Sequence, residues 1–162
     1  MRTRTRVIVG VLAVAAVATS VSVSATTWTR SQEARERTTL EQQYLQVARQ
    51  GVLDLTTISA DTVDADVERV TSASTGRFRD EFSQRAGGFV SVVRDADVTA
   101  TGAVSEAGIE SMTDSEAQVL VAATSTVTNA SGATDEPRVW RLRVSVARDG
   151  DRLALSDVQF VP

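Results

Sequence analysis

Any acid–base or nucleophilic chemistry in this chain has to come from carboxylates, hydroxyls, arginine and one tyrosine, Tyr44. The sequence contains no His, no Cys and no Lys. Without Cys there is no disulfide, thiol nucleophile or thiolate metal site. Without His the commonest general base and the commonest zinc ligand are missing, and without Lys there is no Schiff-base chemistry. The 17 positive charges are all arginine, against 21 Asp and Glu, for a net charge of −4. An acidic chain with scattered arginines is a poor fit to nucleic acid. The sequence holds no phosphate loop, metal-ligand cluster or repeat, so no cofactor is expected.

The elements that must position these groups begin with an N-terminal segment. Arg2, Arg4 and Arg6 precede an uncharged run from Val7 to Trp28. Arginines beside an apolar segment stay on the cytoplasmic side. The expected layout is a cytoplasmic tail at 1–6, a single transmembrane helix at 7–28 (an uncleaved signal anchor), a stalk at 29–39, and an extracytoplasmic domain at 40–162. As a helix, Val7–Ala25 covers roughly 28 Å, enough for a bilayer core. The same residues also read as a cleavable signal peptide ending Val23-Ser24-Ala25, with release after Ala25. Both readings export the domain. Taking the three leading arginines from the net −4 leaves −7 outside. No Cys follows the apolar run, which rules out a lipid-modified anchor.

From Leu40 the pattern is helical, with Leu40, Tyr44, Val47, Ala48, Gly51 and Leu55 on one stripe. A second helix is expected over Thr62–Ser72, capped by Asp61, burying Val63, Val67 and Val70 and leaving Asp64, Asp66, Glu68 and Arg69 in water. A third starts after Thr75-Gly76, with Phe78 and Phe82 one turn apart, and either breaks at Gly87-Gly88 or runs through it. Past Arg94 the period becomes alternating. Four strands are expected, at Val98–Glu106, Glu116–Asn129, Val139–Arg148 and Leu153–Phe160. Gly108 marks a bulge or bend, and Asp149-Gly150 a tight turn. Trp140, Leu142, Val144 and Val146 face one way and Arg141 and Arg143 the other. The expected class is α+β, three helices packed on the concave face of a bent four-stranded antiparallel sheet.

Several stretches carry a family resemblance. "STGRFRDEF" (Ser74–Phe82), "VSEAGIES" (Val104–Ser111), "AQVLVAATSTVTN" (Ala117–Asn129) and "WRLRVSVARDGDRLALSDVQFV" (Trp140–Val161) follow a basic N-terminus and one hydrophobic segment. In this order they resemble the Mce-associated membrane proteins of actinobacteria. Leu153-Ala154 departs from the family, which often has Trp after the hairpin turn. The resemblance implies a cone-shaped fold like nuclear transport factor 2 outside a single cell-membrane span. It also implies partnership with an Mce-type transport complex, an assembly that moves lipids across the envelope.

The cone fold also hosts steroid isomerases and small dehydratases, which set a carboxylate base and a Tyr or acid donor inside the cone. The candidates here are Tyr44 with Asp54, Asp64, Asp80 or Asp157. The plain alternatives are a core aromatic whose hydroxyl reaches the surface for Tyr44, a solvated helix face for Asp80, and a bulge hydrogen bond for Asp157. No catalytic residue is assigned, and the reading is a non-enzyme. A small-ligand or lipid-binding role, tethered or secreted, is the alternative. Its candidate cavity lining is Tyr44, Ala100, Ala123, Trp140, Leu142 and Phe160, with Gly102 and Ala117 also small. Against it, small side chains equally let helices pack closer. Arg141 and Arg143 are the candidate partner contact.

Overall fold

The computed structural model describes Gln32 and residues 34–162. The tail at 1–6, the spanning helix at 7–28 and the cleavage after Ala25 lie outside the described residues. Among those residues, no helix is long and apolar enough to cross a membrane. The chain divides into two units, Met1–Thr39 and Leu40–Pro162. In the first, residues 34–39 are helical, and Thr38 and Thr39 donate from Oγ1 to the carbonyls of Ala34 and Arg35, both at 2.9 Å.

In the second unit the helix α1 covers residues 40–56 and buries Tyr44, Ala48, Val52, Asp54 and Thr56. It stops at Thr56, whose hydroxyl turns back to the Val52 carbonyl at 2.7 Å. A two-residue strand follows, β1 (Ile58–Ser59), and then α2 (Val63–Ser72) and α3 (Gly76–Asp95). Helix α3 runs unbroken through Gly87-Gly88 and buries only Val93, while Phe78, Phe82, Ala86 and Phe89 form a half-open apolar stripe.

The start of α2 differs from the sequence expectation. Its N-cap is Thr62 rather than Asp61, and no side chain caps it in the usual sense. Asp66, expected in water, is buried at 6% exposure. Its Oδ2 accepts from the Ser59 N–H at 3.1 Å and the Thr62 hydroxyl at 2.9 Å, tying the loop before α2 to the helix. A carboxylate in the first turn also meets the positive end of the helix dipole, so burial is compensated by hydrogen bonding rather than avoided.

The sheet has five antiparallel strands rather than four, in the order β1-β2-β3-β4-β5. The added member is β1, too short to show an alternating pattern, while β2 (Thr99–Met112) is the first expected strand prolonged through Gly108 instead of ending near it. Strands β3 (Glu116–Thr128), β4 (Glu136–Asp149) and β5 (Arg152–Phe160) complete it. Register shifts at Val104/Glu106 and Ile109/Ser111 flank Gly108, and a third at Ser145/Val146 leaves Ser156 as the extra residue in β5. Such bulges add twist and bend strands, which curls the sheet.

The core lies between α1 and the inner sheet face. Tyr44, Ala48 and Val52 pack on Ala117, Val119, Val121 and Ala123 of β3, Leu142, Val144 and Val146 of β4, and Leu155 of β5. Two glycines set the spacing. A Cβ at Gly51 would stand 2.5 Å from Leu155 Cδ1, and one at Gly102 would overlap the Thr56 hydroxyl. The small residues of the sequence thus serve close helix–sheet approach at these two positions.

Candidate functional site

The residues considered for catalysis do not converge. Tyr44 is wholly buried, and its hydroxyl finds no hydrogen-bond partner among the described residues, instead of reaching the surface. Desolvation raises its pKa above the usual 10.0, with Arg148 pulling the other way. Asp54 binds Gln50 Nε2 at 2.9 Å and Arg69 Nε at 3.1 Å. Asp64 pairs with Arg94, Asp80 is exposed, and Asp157 accepts from Gln159 Nε2 at 2.6 Å. Asp157 does follow a register change, but its side chain does not bridge the bulge.

Of the candidate cavity residues, Tyr44, Ala123 and Leu142 share one packed core cluster and Trp140 packs against it. Ala100 is half-buried on β2, and Phe160 is 74% exposed. Trp140 packs against Phe160 in a tilted pair, ring centroids 6.0 Å and planes 41° apart, and donates from Nε1 to Ser125 Oγ at 2.9 Å. Gly102 lies against Thr56, and Ala117 is buried in the core.

A polar anchor that the sequence hid fixes α1 to α2. Arg69 reaches Asp54 Oδ1 at 3.1 Å and Asp66 Oδ1 at 2.8 Å. Burial opposes ionisation of Asp66, but bonds from Arg69, the Ser59 N–H and Thr62 outweigh it and hold the carboxyl below the usual 3.8. The only sequence cue was Asp66 three residues before Arg69 on one helix.

Open space lies elsewhere. A cleft of about 630 Å³ runs between α3 and β5, walled by Phe78, Phe82, Phe89, Arg85, Asp157 and Val158. A second hollow of about 450 Å³ sits among residues that include Glu106, Gly108, Leu120, Ala122, Arg141 and Val161. Of these, Leu120, Ala122 and Arg141 are exposed and alternate with the buried Val121 and Leu142, which places the hollow on the outer sheet face.

The two arginines picked out as partner contacts both lie on that face, in different states. Arg143 binds Glu110 through Nε at 2.6 Å and Nη2 at 2.8 Å, crossing β3 at Leu120. That pair holds the Glu110 carboxyl below its usual range. Arg141 is exposed and has no ion-pair partner among the described residues.

Among the described residues the architecture is an α+β domain, three helices with a curled antiparallel sheet. Similar folds occur in the periplasmic domain of DotI (TM-score 0.61, 14% identity, 73% of this chain and 92% of that one). They occur also in CagV, a VirB8 homolog of the T4SS from Helicobacter pylori strain 26695 (TM-score 0.52, 13% identity, 71% of this chain and 93% of that one). At such identities the likeness is one of fold. The chain belongs to the family described as "Uncharacterized protein Rv1363c/MT1408-like", whose model matches residues 5–162. It is 46% identical over 130 residues to "Uncharacterized protein Rv1363c" of Mycobacterium tuberculosis (strain ATCC 25618 / H37Rv), covering 80% of this chain. The chain spans about half the length of that relative, 50%.

Proposed function

We propose that this chain is a non-catalytic, membrane-tethered accessory or scaffold protein of an Mce-type lipid-transport assembly in the cell envelope, with its N-terminus cytoplasmic and its folded domain outside. The observation that carries the reading is the filled interior. Where an enzyme of this fold would hold its reacting groups, Tyr44, Val52, Val119 and Val144 pack at 0% exposure, and the Gly51–Leu155 approach keeps α1 on the sheet. A domain whose interior is packed acts through its surfaces. The neighbouring folds described as a periplasmic domain and as part of a secretion system are in keeping with that role.

The test is crosslinked co-purification of the full chain from native membranes, with its partners identified. Recovery of the membrane and substrate-binding components of a lipid transporter is the expected result. Recovery of none of them, or steroid isomerase or dehydratase turnover by the purified protein, overturns it.

The α3–β5 cleft favours a second reading, a small-ligand or lipid-binding domain. Its phenylalanine stripe is half exposed. A radiolabelled fatty acid that binds the wild-type chain but not a Phe82→Asp variant of equal melting temperature would support that reading, and no binding would remove it.

A further inference from the structure

The outer sheet face is divided by charge, and only the strand register reveals it. Glu106 pairs with Ala122, and Ala122 with Arg141, so the three side chains share one rung and one face. On the next rung Gly108 pairs with Leu120, and Leu120 with Arg143, with Glu110 beside it at the bulge. From Gln118 to Thr126 the outward residues of β3 are Gln118, Leu120, Ala122, Thr124 and Thr126, all uncharged, with Glu116 exposed at the start of the strand beyond them. The β2 flank is therefore acidic (Glu106, Glu110), the β4 flank basic (Arg141, Arg143), and the spine between them neutral and partly apolar.

The two rungs differ. Glu110 and Arg143 satisfy each other across Leu120. Glu106 and Arg141 stay apart across Ala122, neither with an ion-pair partner among the described residues. Between them lies the hollow of about 450 Å³, floored by Gly108, Leu120 and Ala122. Gly108 opens it, since a Cβ there would meet nothing within 4 Å.

We propose that this face docks a second copy of the chain, sheet against sheet, about a two-fold axis parallel to β3, so that Glu106 of each copy meets Arg141 of the other. An isologous contact requires that when one residue meets another, the reverse contact is also made. Rotation about β3 exchanges its left and right flanks and so brings the acidic side of one sheet over the basic side of the other. An axis across the strands would instead set Glu106 on Glu106, which like-charge repulsion forbids. Strands β2 and β4 each lie roughly 4.8 Å from β3, and facing sheets stack at about 10 Å. Extended Glu and Arg side chains span that gap, and the hollow gives the two Leu120 side chains room to interleave over Ala122. This inference rests on the register and not on the transport reading; a dimer that bound no transport protein would leave it standing.

The chain has no cysteine, so Ala122→Cys provides a single reporter at the axis. The full chain carrying it is solubilised in mild detergent and treated with a short bis-maleimide. A covalent dimer is expected. Glu106→Arg and Arg141→Glu, each added alone, should lower its yield at least tenfold with the melting temperature unchanged. The Glu106→Arg/Arg141→Glu double variant should restore it, and an equimolar mixture of the two single variants should crosslink to each other. Gly108→Val, whose Cβ meets nothing within 4 Å, should also lower the yield by filling the hollow. Absence of the covalent dimer, crosslinking to a different protein instead, or a yield indifferent to the charge reversals would each overturn the proposal.

Discussion

Gly51 of α1 and Leu155 of β5 sit so close that a Cβ on the glycine would stand 2.5 Å from one Leu155 methyl, 2.7 Å from the other and 3.0 Å from Cγ. Leu155 is 1% exposed and surrounded by core, so it has nowhere to swing. Gly51→Ala should therefore destabilise by about 1–2 kcal/mol, overpacking outweighing the gain in helix propensity of roughly 1 kcal/mol. Gly102→Ala, which strikes the Thr56 hydroxyl, Cβ and backbone, should cost more. Urea midpoints at constant m-value measure both.

Gly87 and Gly88 supply the opposite case, because a Cβ at either would meet nothing within 4 Å. In the interior of a helix each costs about 1 kcal/mol relative to Ala. Gly87→Ala/Gly88→Ala should raise stability by about 1–2 kcal/mol and the melting temperature by several degrees. A fall in melting temperature would mean that α3 needs its flexibility at that point.

Tyr44→Phe removes a buried hydroxyl that has no partner among the described residues, so it should be neutral or stabilise by up to about 1 kcal/mol, whereas Tyr44→Ala should cost about 3–5 kcal/mol. The folded-state pKa is raised by burial. A raised pKa stabilises fully below the unfolded value near 10 and is lost as pH climbs through the folded value. Stability should thus fall above about pH 10, and Tyr44→Phe should flatten that limb. Tyrosinate absorbance in this one-tyrosine chain reports the titration directly. If the reading of an accessory protein holds, Tyr44→Phe and Asp80→Asn also leave transport by the assembly unchanged.

Asp66 governs the acid side. Its carboxyl is held below the ordinary aspartate range by bonds that outweigh desolvation. A depressed pKa stabilises above the unfolded value, near 3.9, and that stability is lost as pH falls through the folded value. Asp66→Asn should therefore lower stability at pH 7 and reduce the slope of stability against pH below about 4. Arg69→Ala, which strands Asp54 and Asp66, should cost about 1–2 kcal/mol at neutral pH, discounted because Arg69 is 42% exposed. Denaturant titrations from pH 2 to 7 test both.

The sequence by itself determined what periodicity encodes. The alternation of Ala117, Val119, Val121 and Ala123 names the inner face of β3, and Leu142, Val144 and Val146 that of β4. The stripe through Tyr44 and Ala48 names the buried side of α1. These follow from backbone geometry that repeats every 2 or 3.6 residues, whatever lies opposite. Tertiary structure alone decided matters that depend on the identity of the neighbour. Ile58–Ser59 is a strand only because Thr99–Ala100 lies beside it. Asp66 reads as a wet helix residue until Ser59, Thr62 and Arg69 close around it. Gly51 and Gly102 look alike in composition to Gly87 and Gly88, and only the atoms across the gap separate a required glycine from a dispensable one. The charged flanks are the clearest case. Glu106 and Arg141 stand 35 positions apart in the sequence and come onto one rung through two bulged, antiparallel registers. A slip of one residue in either would send one of the two charges into the core.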